Sequence, residues 1–107
     1  MKKRIYLLST LLPVLGFLFA APAFSAEADL VKAEKVYKRS CATCHGKQGE
    51  KPAMGESKII NQLKPEEIST ALLERKAGNI PSAGSPAKQR LSEQDIHNLS
   101  EYIQTLK

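Results

Sequence analysis

Residues 41–46 read Cys41-Ala42-Thr43-Cys44-His45-Gly46 and hold both cysteines of the 107-residue chain and one of its two histidines. Upstream, Leu30, Ala33, Val36 and Tyr37 recur at helical spacing, with Lys32, Lys35, Lys38 and Arg39 on other faces. Residues 28–40 are therefore predicted to form an amphipathic helix. Downstream, residues 46–56 carry three glycines and a proline and read as a loop. Two thiols thus stand at a helix end, two residues apart, with an imidazole directly after the second.

That order of groups suits one chemistry best. Thiols separated by two residues can reach the two vinyl groups of a single porphyrin, and the following imidazole then projects to the iron from the same side. C-x-x-C-H is the attachment signature for haem c on this account. Cys41 and Cys44 supply the thioethers and His45 the proximal iron ligand. A ligating histidine usually donates its other ring N–H to a carbonyl, and the Pro52 carbonyl is a candidate for that role. Three other readings fit less well. A thioredoxin-like redox pair needs a strand–helix–strand setting that the chain lacks. A closed zinc site needs four ligands, and His45 with His97 would complete it at no familiar spacing. A simple disulfide in an oxidising compartment is the third, and the complete motif standing after a helix in an exported chain favours haem over it.

The remaining pattern is helical. Residues 57–63 carry Ile59, Ile60 and Leu63 and suit a short helical turn. Pro65 fits a first helical position, Glu66 and Glu67 follow at the positive end of the helix dipole, and Gly78 is a natural stop after Arg75 and Lys76. Residues 79–87 contain two prolines, a glycine and two serines and read as a loop. Ser92 opens a last helix with Asp95 three residues on, close to a capping box. Ile96, Leu99, Ile103 and Leu106 then form one apolar stripe, flanked by Tyr102. No run alternates as a strand would. The fold class is all-α: three main helices plus loops wrapped around one covalently attached haem.

The first 25 residues read as a secretory signal peptide and residues 26–107 as the domain. Lys2, Lys3 and Arg4 precede a mostly apolar run from Ile5 to Ala21, and small residues follow before Glu27. Cleavage after Ser25 or after Ala23 leaves a small residue at the required position. The apolar run contains a proline and polar residues and is short for a membrane span. Export to the periplasm is expected, with membranes met only through partners. The chain has 16 basic and 11 acidic residues. Loss of the leader leaves 13 against 11, so the basic character belongs largely to the leader and gives no support to nucleic-acid binding. The remaining 82 residues contain no tryptophan, and a domain so small needs a staple to hold its core.

From the segment Cys41 to Gly46 and the segment Leu91-Ser92-Glu93-Gln94-Asp95-Ile96 through Tyr102-Ile103, the chain resembles the small bacterial class I c-type cytochromes. The likeness covers nearly all of the mature part. It implies one haem c, a crossing of the first and last helices, and redox proteins as partners. Ala33 and Tyr37 on one helix, with Leu99 and Ile103 on the other, match the pattern of that crossing.

The chain departs from the family in one place. Members usually supply a sixth iron ligand, a methionine, from the loop before the last helix. Here that loop, residues 79–88, has none. Met54, in the loop after the motif, is a candidate ligand whose bland reading is a core filler. His97 falls on the face of the last helix opposite its apolar stripe and should meet solvent. Lys88 lies in the right loop, and its simplest reading is a solvated surface charge. The remaining option is an open distal position. Two functions follow. One is an electron carrier, not an enzyme, with Lys38, Arg39, Lys47 and Lys51 around the motif steering an acidic partner. The other is a haem module whose open site binds nitric oxide, carbon monoxide, oxygen or peroxide, with weak peroxidase-like activity at most.

Overall fold

The computed structural model describes residues 27–106 together with Pro13 and Gly16. The signal-peptide reading and its cleavage sites lie outside the described residues. Five α-helices follow one another: α1 (Leu30–Ser40), α2 (Ala42–His45), α3 (Pro65–Lys76), α4 (Ser85–Gln89) and α5 (Glu93–Gln104). Two short 3₁₀ turns, Ala53–Gly55 and Ile60–Gln62, lie between α2 and α3. Among the described residues there is no strand.

The three longer helices stand where periodicity predicts them, and their ends are made by identifiable groups. The Asp29 carboxylate accepts from the Lys32 N–H at 2.9 Å, so α1 starts at Leu30, two residues later than predicted. Pro65 occupies the first turn of α3, where a missing N–H costs nothing. The Glu67 carboxylate accepts from the Lys64 N–H at 2.8 Å. Gly78, at φ +83°, ends that helix as predicted. At α5 the capping box is complete: the Ser92 hydroxyl accepts from the Asp95 N–H and the Asp95 carboxylate from the Ser92 N–H, each at 3.0 Å.

Helix α5 packs against both α1 and α3. At the α1–α5 crossing Ala33, Tyr37, Leu99 and Ile103 are all at most 3% exposed, in agreement with the pattern read from sequence. Val36, Ile68, Leu91, Ile96 and Leu106 complete the core. The Tyr37 ring is tilted 56° against Tyr102 with centroids 5.7 Å apart, a favourable aromatic geometry. A buried polar group also closes the crossing. Asn98 Oδ1 accepts from the Asp29 N–H at 3.0 Å and from Gln94 Nε2 at 2.9 Å.

One element differs from the sequence reading. Residues 85–89, predicted as loop, form the single turn α4. Pro86 stands in its first turn, where its lack of an N–H is harmless. The Ser85 hydroxyl accepts from the Ser82 N–H at 2.8 Å and fixes the entry. Helix α4 packs on α3, and Lys76 Nζ donates to the Leu91 carbonyl, tying the end of α3 to the α4–α5 link.

Candidate haem site

The chain turns sharply between α1 and α2, and that turn places the motif. The Cys41 N–H still donates to the Tyr37 carbonyl at 2.8 Å, as a last bond of α1. Its own carbonyl accepts from the Cys44 and His45 N–H groups at 3.2 and 3.0 Å, which closes α2. Gly46 follows at φ +84°, ψ 163°, a backbone conformation open essentially only to glycine. A Cβ there would also lie 2.4 Å from the Glu50 carboxylate. The buried Tyr37 hydroxyl donates to the Gly46 carbonyl at 2.7 Å, so the core crossing and the motif share a strut. Burial, aided by the charges of Cys41 and Glu50, pushes this phenol up to about 12.

Beyond Gly46 the loop is pinned back. The Lys51 N–H donates to the His45 carbonyl at 2.9 Å, and Asn61 Nδ2 donates to the Gln48 carbonyl at 2.9 Å. The Pro52 carbonyl accepts from the Gly55 N–H at 3.0 Å. Met54, at φ +58°, is 76% exposed on the Ala53–Gly55 turn. His97 is exposed, on the outer face of α5.

Both cysteines are free, Cys41 half-buried and Cys44 exposed. His45 Nδ1 is buried and has no hydrogen-bond partner. Burial, with the positive charges of Lys88 and Arg75, holds this imidazole below its ordinary pKa, in the neutral form that ligates metals. Burial raises the Cys41 thiol, while Lys88 opposes that rise. Two free thiols two residues apart, followed directly by an imidazole held in its neutral form, are the donor set that a covalent haem requires. Among the described residues, no three His, Cys, Asp or Glu side chains gather as a cage for a metal ion.

Lys88 departs from its sequence reading as a solvated surface charge. Its side chain is half-buried, and burial followed by repulsion from Arg75 lowers its pKa. The basic residues at the motif's edge are Lys38, Arg39, Lys47 and Lys51, all exposed. Lys38 pairs with Glu34 one turn earlier.

The helix crossing, the turned motif and its donor set define a small c-type cytochrome. Residues 28–103 match the family model described as cytochrome c oxidase, cbb3-type, subunit III, and the chain belongs to that family. Among curated relatives, the cytochrome c-553 of Helicobacter pylori strain 26695 is 43% identical over 74 residues, covering 68% of this chain and 77% of the relative. Cytochrome c-554(547) of Halothiobacillus neapolitanus is 34% identical over 91 residues, covering 74% and 98%. The cofactor is a covalently bound haem c, and the chain is an electron carrier with redox proteins and haem as its partners.

Proposed function

We propose that the mature domain, residues 26–107, acts in the periplasm as a monohaem shuttle passing single electrons between redox proteins. In this reading Cys41 and Cys44 form the thioethers and His45 is the proximal ligand. The observation that carries it is the turn at the end of α1 that sets two free thiols and a neutral imidazole in direct succession. The bound haem supplies a one-electron couple. The chain's own part is to hold it still and bring its edge to a partner.

Rigidity is the first requirement. Small structural change on electron transfer keeps reorganisation low, and the bonds from Tyr37 to Gly46 and from Lys51 to His45 brace the motif on both sides. The expected bond from the His45 ring to the Pro52 carbonyl is not formed in this structure: that carbonyl accepts from the Gly55 N–H, and His45 Nδ1 has no partner. Access is the second requirement. Cys44 is exposed, as are Lys38, Arg39, Lys47 and Lys51 near it in sequence, so a haem held by Cys44 would be approached by an acidic partner that these charges steer. Among the described residues no helix is long and apolar enough to cross a membrane. Cleavage of residues 1–25 during export completes the reading.

Replacing Cys41 and Cys44 together by serine tests it. The double variant, expressed with its leader, should lose covalent haem on a denaturing gel while the wild type stains in the periplasmic fraction. A haem-stained double variant would sink the attachment. A stain confined to the cytoplasmic fraction would sink the location.

A further inference from the structure

Iron in a porphyrin has two axial positions, and His45 accounts for one. Among side chains weighed for the other, His97 is exposed on the outer face of α5 and Met54 is 76% exposed. Lys88 is placed differently. It lies one turn after Gly84, its N–H donating to the Gly84 carbonyl at 3.3 Å. Helical side chains lean toward the preceding turn, and the Lys88 side chain does so, folding back over Gly84. A Cβ on residue 84 would stand 2.5 Å from Lys88 Nζ, so the amine sits directly over Gly84 and a larger residue there would have to push it aside. Nζ is half-buried and makes no hydrogen bond or ion pair among the described residues. It lies within electrostatic reach of Cys41, Cys44 and His45 together. A half-buried amine with no hydrogen bond or ion pair among the described residues, whose charge acts on the thiols and imidazole of the motif, is a donor group waiting for an acceptor.

We propose that Lys88, seated over Gly84, is the distal axial ligand of this cytochrome's haem iron. The inference rests on the reading that Cys41, Cys44 and His45 hold that haem. Lys88 gives its third ammonium proton to solvent and offers the nitrogen lone pair; no electron is transferred in this step. An amine is a harder donor than a thioether and favours ferric iron, so the chain's couple sits lower than a methionine would set it.

The test uses full-length holoprotein matured with its haem. Ferric wild type should show a low-spin visible spectrum and low-spin electron paramagnetic resonance, and the reduced form should not bind carbon monoxide at once. Lys88→Ala should lose the low-spin signature and bind carbon monoxide readily. Lys88→Arg, which keeps charge and bulk but cannot ligate, should behave the same way. Lys88→Met should restore a low-spin spectrum at a raised midpoint potential. Haem stain on a denaturing gel should persist in all four proteins. A low-spin Lys88→Ala spectrum identical to wild type overturns the proposal, and loss of that spectrum in Met54→Leu assigns the ligand to Met54 instead. High-spin wild type that binds carbon monoxide overturns it in favour of an open site. Absence of covalent haem from wild type overturns the attachment itself, a separate outcome read on the gel alone.

Discussion

The proximal segment, residues 41–51, and the distal segment, residues 79–91, are built on opposite plans. In the first, backbone groups are tied in both directions: to α1 through the Tyr37 carbonyl and hydroxyl, and forward through Lys51 to His45. Of its two glycines, Gly46 has a conformation no other residue adopts without strain. The second is mostly exposed, and it is fixed by one short helix, the Ser82–Ser85 bonds and the grip of Lys76. Its glycine, Gly84, has an ordinary φ of −85° and lies beneath the Lys88 amine. The attachment side is thus specified by backbone geometry, while the opposite side is specified by one side chain. The first tolerates little change. The second can be altered with little loss of stability, so the properties of the iron can be tuned there.

Substitution of the two glycines tests this contrast most directly. Gly46→Ala combines backbone strain with displacement of the Glu50 carboxylate, and should cost about 1–3 kcal/mol in denaturant unfolding of the holoprotein. A loss under ~0.5 kcal/mol would mean the proximal turn is as adaptable as the distal one. Tyr37→Phe removes the strut to the Gly46 carbonyl and should cost about 1 kcal/mol. In the wild type, ultraviolet titration should find this phenol ionising at about 12. Its folded pKa exceeds the unfolded one, so its contribution is complete below pH ~10 and is lost as pH rises toward 12.

Asp95 guards the exit from the distal segment, and Asp95→Ala should cost about 1 kcal/mol through the broken capping box. Its carboxyl is held below the ordinary range, first by the Ser92 N–H and further by Lys32, which lies 3.2 Å away. That depressed value means the stabilisation is present above pH ~4 and fades as pH falls below it. The gap in melting temperature between variant and wild type should therefore narrow at low pH. An unchanged gap would exclude the charged cap. Smallest of all, Gly84→Ala should shift stability by only a few tenths of a kcal/mol while displacing Lys88, with the spectrum rather than the melting curve as its readout.

What sequence makes legible follows the range of the interaction involved. Helical spacing, the Ser92–Asp95 cap and the stop at Gly78 are local, and each stands where it was expected. The crossing residues Ala33, Tyr37, Leu99 and Ile103 came through family likeness, which carries long-range information that periodicity lacks. Helix α4 was missed because two prolines and a glycine weigh toward loop, although Pro86 sits where a helix tolerates it. The Asn98 bonds and the Tyr37 strut were out of reach, since each joins groups whose meeting depends on the whole fold. Lys88 illustrates the same limit: composition assigns lysine to the surface, and only the turn of α4 over Gly84 brings its amine inward.

The bond between Asp29 and Asn98 spans 69 residues of chain. It ties the beginning of the first helix to the middle of the last, so the two ends of the domain close the structure between them. Closing so long a loop carries an entropy cost that the packing of α1 on α5 must offset. A chain emerging amino end first therefore has nothing on which to lock α1 until nearly all of it has emerged. Until Asn98 has been made, α1 and the motif that follows it stand without the bond that closes the crossing.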